Sequence, residues 1–500
     1  MARTTLSLLA CLCLATSASV DPSLPEDISI RDPELHLDIP GVIRRWGYPV
    51  EEHEVQTEDG FLLTLHRIPY GVNGLTNQRT DRPVVFMQHG LLSSSSSWTL
   101  NLPYQSPAFI FADAGFDVWM GNFRGNVYSR RHVEYDPDDD DFWDFSWDQM
   151  AEFDLPAQIN YVLQHTGQEK LNYMGHSMGT VTVFAKCSDD PDFCNQKISN
   201  IFALAPVITV GHVRGGFHFL AHFTNTIELL FDIFGVKEFN LPERVQNALA
   251  EYVCGEEFTN PLCENIMFLI MGTDGYQTNS TRIPVYLAHN PAGTSSRTIV
   301  HFGQMIRSGK FQKYNYGFFS NIYHYGSIHP PEYELENVPV PVYLFYGDID
   351  ELATLQDVLE NIPRIQHLAG NFRFAQSNHV DFIFGLRADQ EIFEPILDFV
   401  QWKGKKVEMG SLSASIVLVA TATYLTTAAP ASKQEEAAEP VVVQSEFGDL
   451  IAPAMLKQAS RPEKRGLMNG MSMVRGSSAR GHRRYLLAAP FNMRRGLYMT

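Results

Sequence analysis

Between residues 43 and 207, short β-branched and aromatic runs alternate with longer segments of helical spacing. Residues 43–69 read as two strands around the turn Glu58-Asp59-Gly60. Arg82-Pro83-Val84-Val85-Phe86-Met87-Gln88 reads as a buried strand, and Leu171-Asn172-Tyr173-Met174 as another. The small, apolar stretch from Thr180 to Lys186 suits a helix. Strands alternating with helices are the rhythm of a mostly parallel sheet, so the pattern predicts an α/β fold. From about residue 208 to 305 the rhythm changes. Phe217-His218-Phe219-Leu220, Ile227-Glu228-Leu229-Leu230-Phe231 and Ile266-Met267-Phe268-Leu269 are dense in apolar and aromatic residues. They predict the helices of an insertion, a cap over the sheet. The strand pattern returns at Val338, with Val340-Pro341-Val342-Tyr343-Leu344-Phe345-Tyr346, and Ile392 to Trp402 predicts a closing helix.

Composition narrows the picture. The chain has 500 residues, 44% apolar and 12% aromatic, enough for one large domain plus additions. A net charge of −19 argues against nucleic acid as a partner. Met1-Ala2-Arg3, an apolar run from Leu6 to Ala15 and the small residues Ala15 to Ser19 predict a signal peptide over residues 1–19, too short for a membrane span. The main domain then covers residues 20–403. Residues 404–500 differ in kind: Met409 to Ser432 carries no charge but is diluted by Ser and Thr, and basic residues dominate from Lys457. This predicts a disordered extension, with weak membrane association as the alternative. Cleavage of the leader removes Cys11 and Cys13. Cys187, Cys194, Cys254 and Cys263 remain, with three possible pairings, of which the local ones are favoured. Asn279-Ser280-Thr281 is a glycosylation sequon in a polar stretch, which suits a surface site on a chain that follows the secretory route. The acidic run Asp136 to Asp141 lacks the ligand spacing and glycine hinge of a calcium loop and reads as a solvated turn.

The chemistry centres on Gly175-His176-Ser177-Met178-Gly179. A strand before it and a helix after it are the context a nucleophile elbow needs, and two glycines let strand and helix pass close together. A nucleophilic serine needs a base, and the base an orienting carboxylate. On this architecture they follow in the order Ser, Asp/Glu, His. Gly347-Asp348-Ile349-Asp350 follows a strand pattern and offers two candidate acids, and Ser377-Asn378-His379 offers the base. The loop His89-Gly90-Leu91-Leu92 follows another strand. The Leu91 amide would pair with that of Met178 as an oxyanion hole. Ester chemistry by this set needs neither metal nor organic cofactor.

The chain resembles the acid lipase family of animals, which includes gastric and lysosomal acid lipases. The resemblance runs from about Asp38 to Trp402. It is carried by Gly47-Tyr48-Pro49-Val50-Glu51-Glu52-His53, Gln88-His89-Gly90-Leu91-Leu92, Asp117-Val118-Trp119-Met120-Gly121-Asn122-Phe123-Arg124-Gly125-Asn126, Phe145-Ser146-Trp147-Asp148, His289-Asn290-Pro291-Ala292-Gly293-Thr294-Ser295 and Asn378-His379 with Asp381-Phe382. It implies an α/β-hydrolase fold with a lid inside the insertion. It also implies a Ser177–His379–Asp350 triad and a bridge between Cys254 and Cys263. The family has Gly-Gly before its acid and a second Asp four residues after it; this chain has Gly347-Asp348 and Thr354. The implied activity is hydrolysis of neutral lipid esters at a lipid–water interface. An apolar cap agrees, since it would bury acyl chains at about 0.8 kcal/mol per methylene. Sterol or retinyl esters are the alternative substrates, and a silent lipid carrier is the alternative of another class.

Overall fold

The computed structural model describes residues 32–72, 82–215, 237–240 and 277–404. Nine strands among these residues form one mixed sheet. They are β1 (Glu51–Gln56), β2 (Phe61–Ile68), β3 (Val84–Gln88), β4 (Asp117–Gly121), β5 (Arg131–His132), β6 (Leu171–His176), β7 (Ile198–Leu204), β10 (Val342–Gly347) and β11 (Leu368–Phe374). A separate antiparallel pair joins β8 (Glu238–Phe239) to β9 (Thr294–Ser295).

The spatial order is β1-β2-β4-β3-β6-β7-β10-β11, with β5 beside β2. The β1–β2 and β2–β4 pairs are antiparallel, and every pair from β4 to β11 along this path is parallel. Central parallel strands are covered on both faces and therefore need unbroken apolar runs. Accordingly β3, β4 and β10 are buried at every residue, whereas β11 at the sheet edge alternates between half-buried and exposed. The parallel strands end at one edge of the sheet. The loops after β3, β6, β10 and β11 hold the four candidate site segments.

The helix Met178–Asp189 crosses back from that edge and is buried along almost its whole length. A disulfide joins its Cys187 to Cys194 in the next helix, Pro191–Lys197. The hairpin turn at Glu58-Asp59-Gly60 forms as expected, with Thr57 N–H donating to Phe61 O at 2.8 Å. One expectation fails at its start: residues 43–45, read as the beginning of the first strand, belong to the helix Ile39–Arg45, and β1 begins only at Glu51. Asp38 accepts from Gly41 N–H at 2.8 Å and caps the helix, and Pro40 fits its first turn, where no backbone donor is required.

Of the expected insertion, the described parts include the helices Ile283–His289 and Ser296–Ser308 and the β8–β9 pair. The aromatic stretches 217–223, 227–234 and 266–271 lie outside the described residues. So do residues 1–19, expected to be a signal peptide, Cys254, Cys263 and residues 405–500. Among the described residues no helix is long and apolar enough to cross a membrane. The side chains from Asp138 to Asp141 are exposed.

Candidate active site

The elbow is built by contact. Ser177 has φ +54° and ψ −116°, a conformation that costs a non-glycine residue about 1–3 kcal/mol. Crowding enforces it. A Cβ on Gly175 would lie 2.7 Å from Gly179 O, and one on Gly179 would collide with Gln88 O and sit 3.0 Å from His89 O. Ser177 N–H donates to Leu204 O at 3.1 Å, which ties the turn to the end of β7.

His379 arrives on the loop after β11. Its Nε2 lies 2.8 Å from Ser177 Oγ across 202 residues of sequence. Its Nδ1 lies 2.9 and 3.1 Å from the two oxygens of Asp350. Asp350 is buried, and its Oδ1 also accepts from Leu352 N–H and Ala353 N–H, each at 2.8 Å. Asp348 points elsewhere and forms a two-point ion pair with Arg373, at 2.6 and 2.9 Å. A Cβ on Gly347 would collide with Ser377 O, so the acid and histidine loops cross in direct contact. Thr354, where the family has an acid, caps the helix Leu355–Asn361 by accepting from Asp357 N–H at 3.2 Å.

The loop after β3 closes the other side. Ser93 N–H donates to Gly90 O at 3.3 Å, forming a turn whose internal bond does not use the Leu91 amide. A Cβ on Gly90 would lie 3.0 Å from Ser177 Cβ, so the loop packs on the elbow. Met178 begins its helix, and first-turn amides have no partner within their own helix. Met178 and Leu91 therefore stand on the two segments that flank Ser177. His89 supports the loop from behind. Its Nε2 accepts from Phe123 N–H at 3.1 Å, so its Nδ1 carries the proton and donates to Gly90 O at 2.8 Å.

Two roles were missed in the sequence. His176 is buried, and its Nε2–H donates to the carbonyl of His379 at 2.8 Å, fixing the backbone of that residue. Its position inside the pentapeptide was the available signal. Asp381 accepts from Asn378 N–H at 2.8 Å and so shapes the histidine loop, while its Oδ1 is buried without a hydrogen-bond partner. Asn279 is largely buried; its Oδ1 accepts from Thr281 N–H at 3.2 Å and from Thr281 Oγ–H at 2.8 Å.

Burial sets the charges here. It holds His89 down at about 4, and with the nearby His379 it holds His176 down at about 3. Both rings stay neutral in the fold, whereas a histidine in the unfolded chain takes up a proton near 6.5. Their contribution to stability is lost as the pH falls from 6.5 towards those values. Asp381 acts in the opposite sense. Burial, helped by the nearby Asp350 charge, raises its carboxyl to about 6 from 3.8. The folded state keeps a proton that the unfolded chain releases, so the destabilisation present at pH 7 fades as the pH falls through 6 towards 3.8. An Asp381→Asn protein should therefore be more stable than the parent at neutral pH, by up to about 2–3 kcal/mol. Thermal unfolding across pH checks this: a gain that persists unchanged at pH 4 would rule the account out.

A mostly parallel sheet with a serine on a strained strand–turn–helix at its carboxyl edge, and an acid and a histidine on later loops, defines the α/β-hydrolase class. Comparison agrees: residues 39–102 match the partial α/β-hydrolase lipase region, and residues 83–230 match the α/β-hydrolase fold. The chain is 47% identical to lipase lipl-1 of Caenorhabditis elegans, over 74% of this chain and 93% of that protein. It is 43% identical to gastric triacylglycerol lipase of Homo sapiens, over 74% of this chain and 92% of that protein, and equally identical to the Rattus norvegicus enzyme, over 74% and 93%. The chain belongs to this family of α/β-hydrolase lipases.

Proposed function

We propose that the chain hydrolyses the ester bonds of triacylglycerol through Ser177, His379 and Asp350. The observation that carries this reading is the continuous hydrogen-bond line from Asp350 through His379 to Ser177 Oγ. Asp350 holds the imidazole with its proton on Nδ1, leaving Nε2 free to take the serine proton. Ser177 Oγ attacks the ester carbonyl as that proton moves. The amides of Leu91 and Met178 receive the charge that develops on the carbonyl oxygen, where one such donor is worth about 3 kcal/mol of barrier. His379 then protonates the leaving alcohol, which departs and leaves an acyl-enzyme. Water, deprotonated by His379, releases the fatty acid and restores the serine.

The insertion over the site would act as a cap with a lid. Secretion after loss of the leader, residence outside the cell or in the lysosome, a glycan on Asn279 and a bridge between Cys254 and Cys263 belong to the same proposal. The names of the relatives favour triacylglycerol over sterol esters. A panel of emulsified triacylglycerol, cholesteryl ester and retinyl ester tests the choice. Triacylglycerol should turn over at least about tenfold faster, a difference of about 1.4 kcal/mol in barrier. A faster rate on cholesteryl ester would move the assignment to the other alcohol. A folded protein that cleaves none of the three would leave only the carrier reading.

A further inference from the structure

The helix Phe318–Tyr325 has its amphipathicity reversed. Its buried residue is polar: Asn321 accepts from Tyr316 N–H at 2.9 Å and donates to Asn315 Oδ1 at 2.7 Å and to Ile328 O at 3.0 Å. Tyr325 adds a second anchor by donating to Tyr314 O at 2.8 Å. Outward point Phe318 (57% exposed), Phe319 (82%), Ile322 (46%) and Tyr323 (88%), with Ile328 (42%) just beyond. The spacing 318, 319, 322, 323 places four of them on one face. A surface helix ordinarily turns such a stripe to the core. Here the hydrogen bonds of Asn321 hold the stripe in water, where it carries the unfavourable hydration of apolar surface.

We propose that this face is an anchoring surface for the lipid–water interface, inserting Phe319 and Tyr323 among lipid head groups and acyl chains. The inference rests on the lipase reading for the identity of the lipid phase. Phe and Ile side chains beside Tyr rings suit the interfacial zone, where one end of a ring is apolar and the other wet. Charge points the same way. The protein carries a net charge of −19, yet residues 314–331 contain no Asp or Glu, and the patch is accompanied by exposed His324 and His329. A surface loaded with fatty-acid product is anionic, and this is a face that does not repel it. A second copy of the chain fits less well. A stable protein interface engages roughly 20–30 residues a side, whereas this patch offers five large apolar side chains.

The test uses the full-length chain with Ser177→Ala, which cannot consume the lipid, and phosphatidylcholine vesicles containing oleic acid. Its vesicle partitioning is compared with that of the same protein carrying Phe319→Ser and Tyr323→Ser. The pair should lower partitioning at least about tenfold, because two aromatic side chains lose their transfer from water. Both side chains are exposed, so thermal unfolding of the two proteins should coincide. In the active background the same pair should slow hydrolysis of emulsified triacylglycerol while turnover of dissolved p-nitrophenyl acetate stays within about twofold. A Tyr323→Trp reporter should shift its emission to the blue when vesicles are added. Unchanged partitioning, or a parent that sediments as a dimer broken by the two substitutions, would overturn the proposal. Loss of the lipase reading would show separately, as a parent that cleaves no ester, while the partitioning assay still reads the docking face.

Discussion

Ser177→Ala should lower the turnover of emulsified triacylglycerol by about a million-fold, the scale seen when a nucleophile is removed from a hydrogen-bonded triad. The size follows from the shared geometry. His379 Nε2 has Ser177 Oγ as its partner at 2.8 Å, so without that oxygen the base has nothing to activate in the first step. A methyl group keeps the strained φ of +54° with little change in volume, so folding should survive. Residual hydrolysis would come from the oxyanion amides alone. Stopped assays of purified, folded protein measure it, and a variant retaining even a tenth of parental activity would sink the assignment of Ser177.

Asp350→Asn should cost about 10⁴-fold in kcat, whereas Asp348→Asn should change it by no more than about twofold. Asp350 Oδ1 accepts two backbone amides, and Oδ2 faces His379 Nδ1 at 2.9 Å. In the Asn variant the carbonyl oxygen keeps the side of the two amides, because an NH₂ group cannot accept from them. The NH₂ is then forced towards His379 Nδ1. That nitrogen must become the acceptor, the imidazole proton moves to Nε2, and the ring can no longer take the proton of Ser177. Asp348 spends its carboxylate on exposed Arg373, a pair that contributes little at the surface. Comparable losses in both variants would contradict this division of roles. Combining Ser177→Ala with Asp350→Asn should cost scarcely more than Ser177→Ala alone, since the three groups act as a unit.

Much of the site was legible because its determinants are local. An elbow needs a strand, two small residues around the serine and a helix, and all of these fall within residues 171–189. The loop after β3 carries its own glycine at the point where it meets Ser177. The chain order Ser, Asp, His pointed to His379 as the candidate base. Less was legible where the answer is a contact between distant segments. Asp348 and Asp350 share one loop and one composition, and the crossing of Gly347 against Ser377 decides which of them faces the imidazole. His176 received no role from the sequence; the fold places the His379 carbonyl within its reach. Residues 43–45 were read as the start of a strand, whereas the helix capped by Asp38 runs through them.

The sequence by itself determined the layered α/β architecture and the local pattern of an elbow, and it put forward Ser177 and His379 as candidate nucleophile and base, because strand periodicity, glycine sterics and motif order act over a few residues. It also placed the chain in its family. Tertiary structure decided the rest. It turned Asp350, the acid the family resemblance implied, towards His379 and Asp348 towards Arg373, fixed the tautomer of His89 through Phe123 and Gly90, and turned the stripe of Phe318–Tyr325 outward by anchoring Asn321. Each of these depends on which groups lie within about 3 Å once the segments pack, the reach of a hydrogen bond. That proximity is a property of the folded chain and is not written in any single stretch of it.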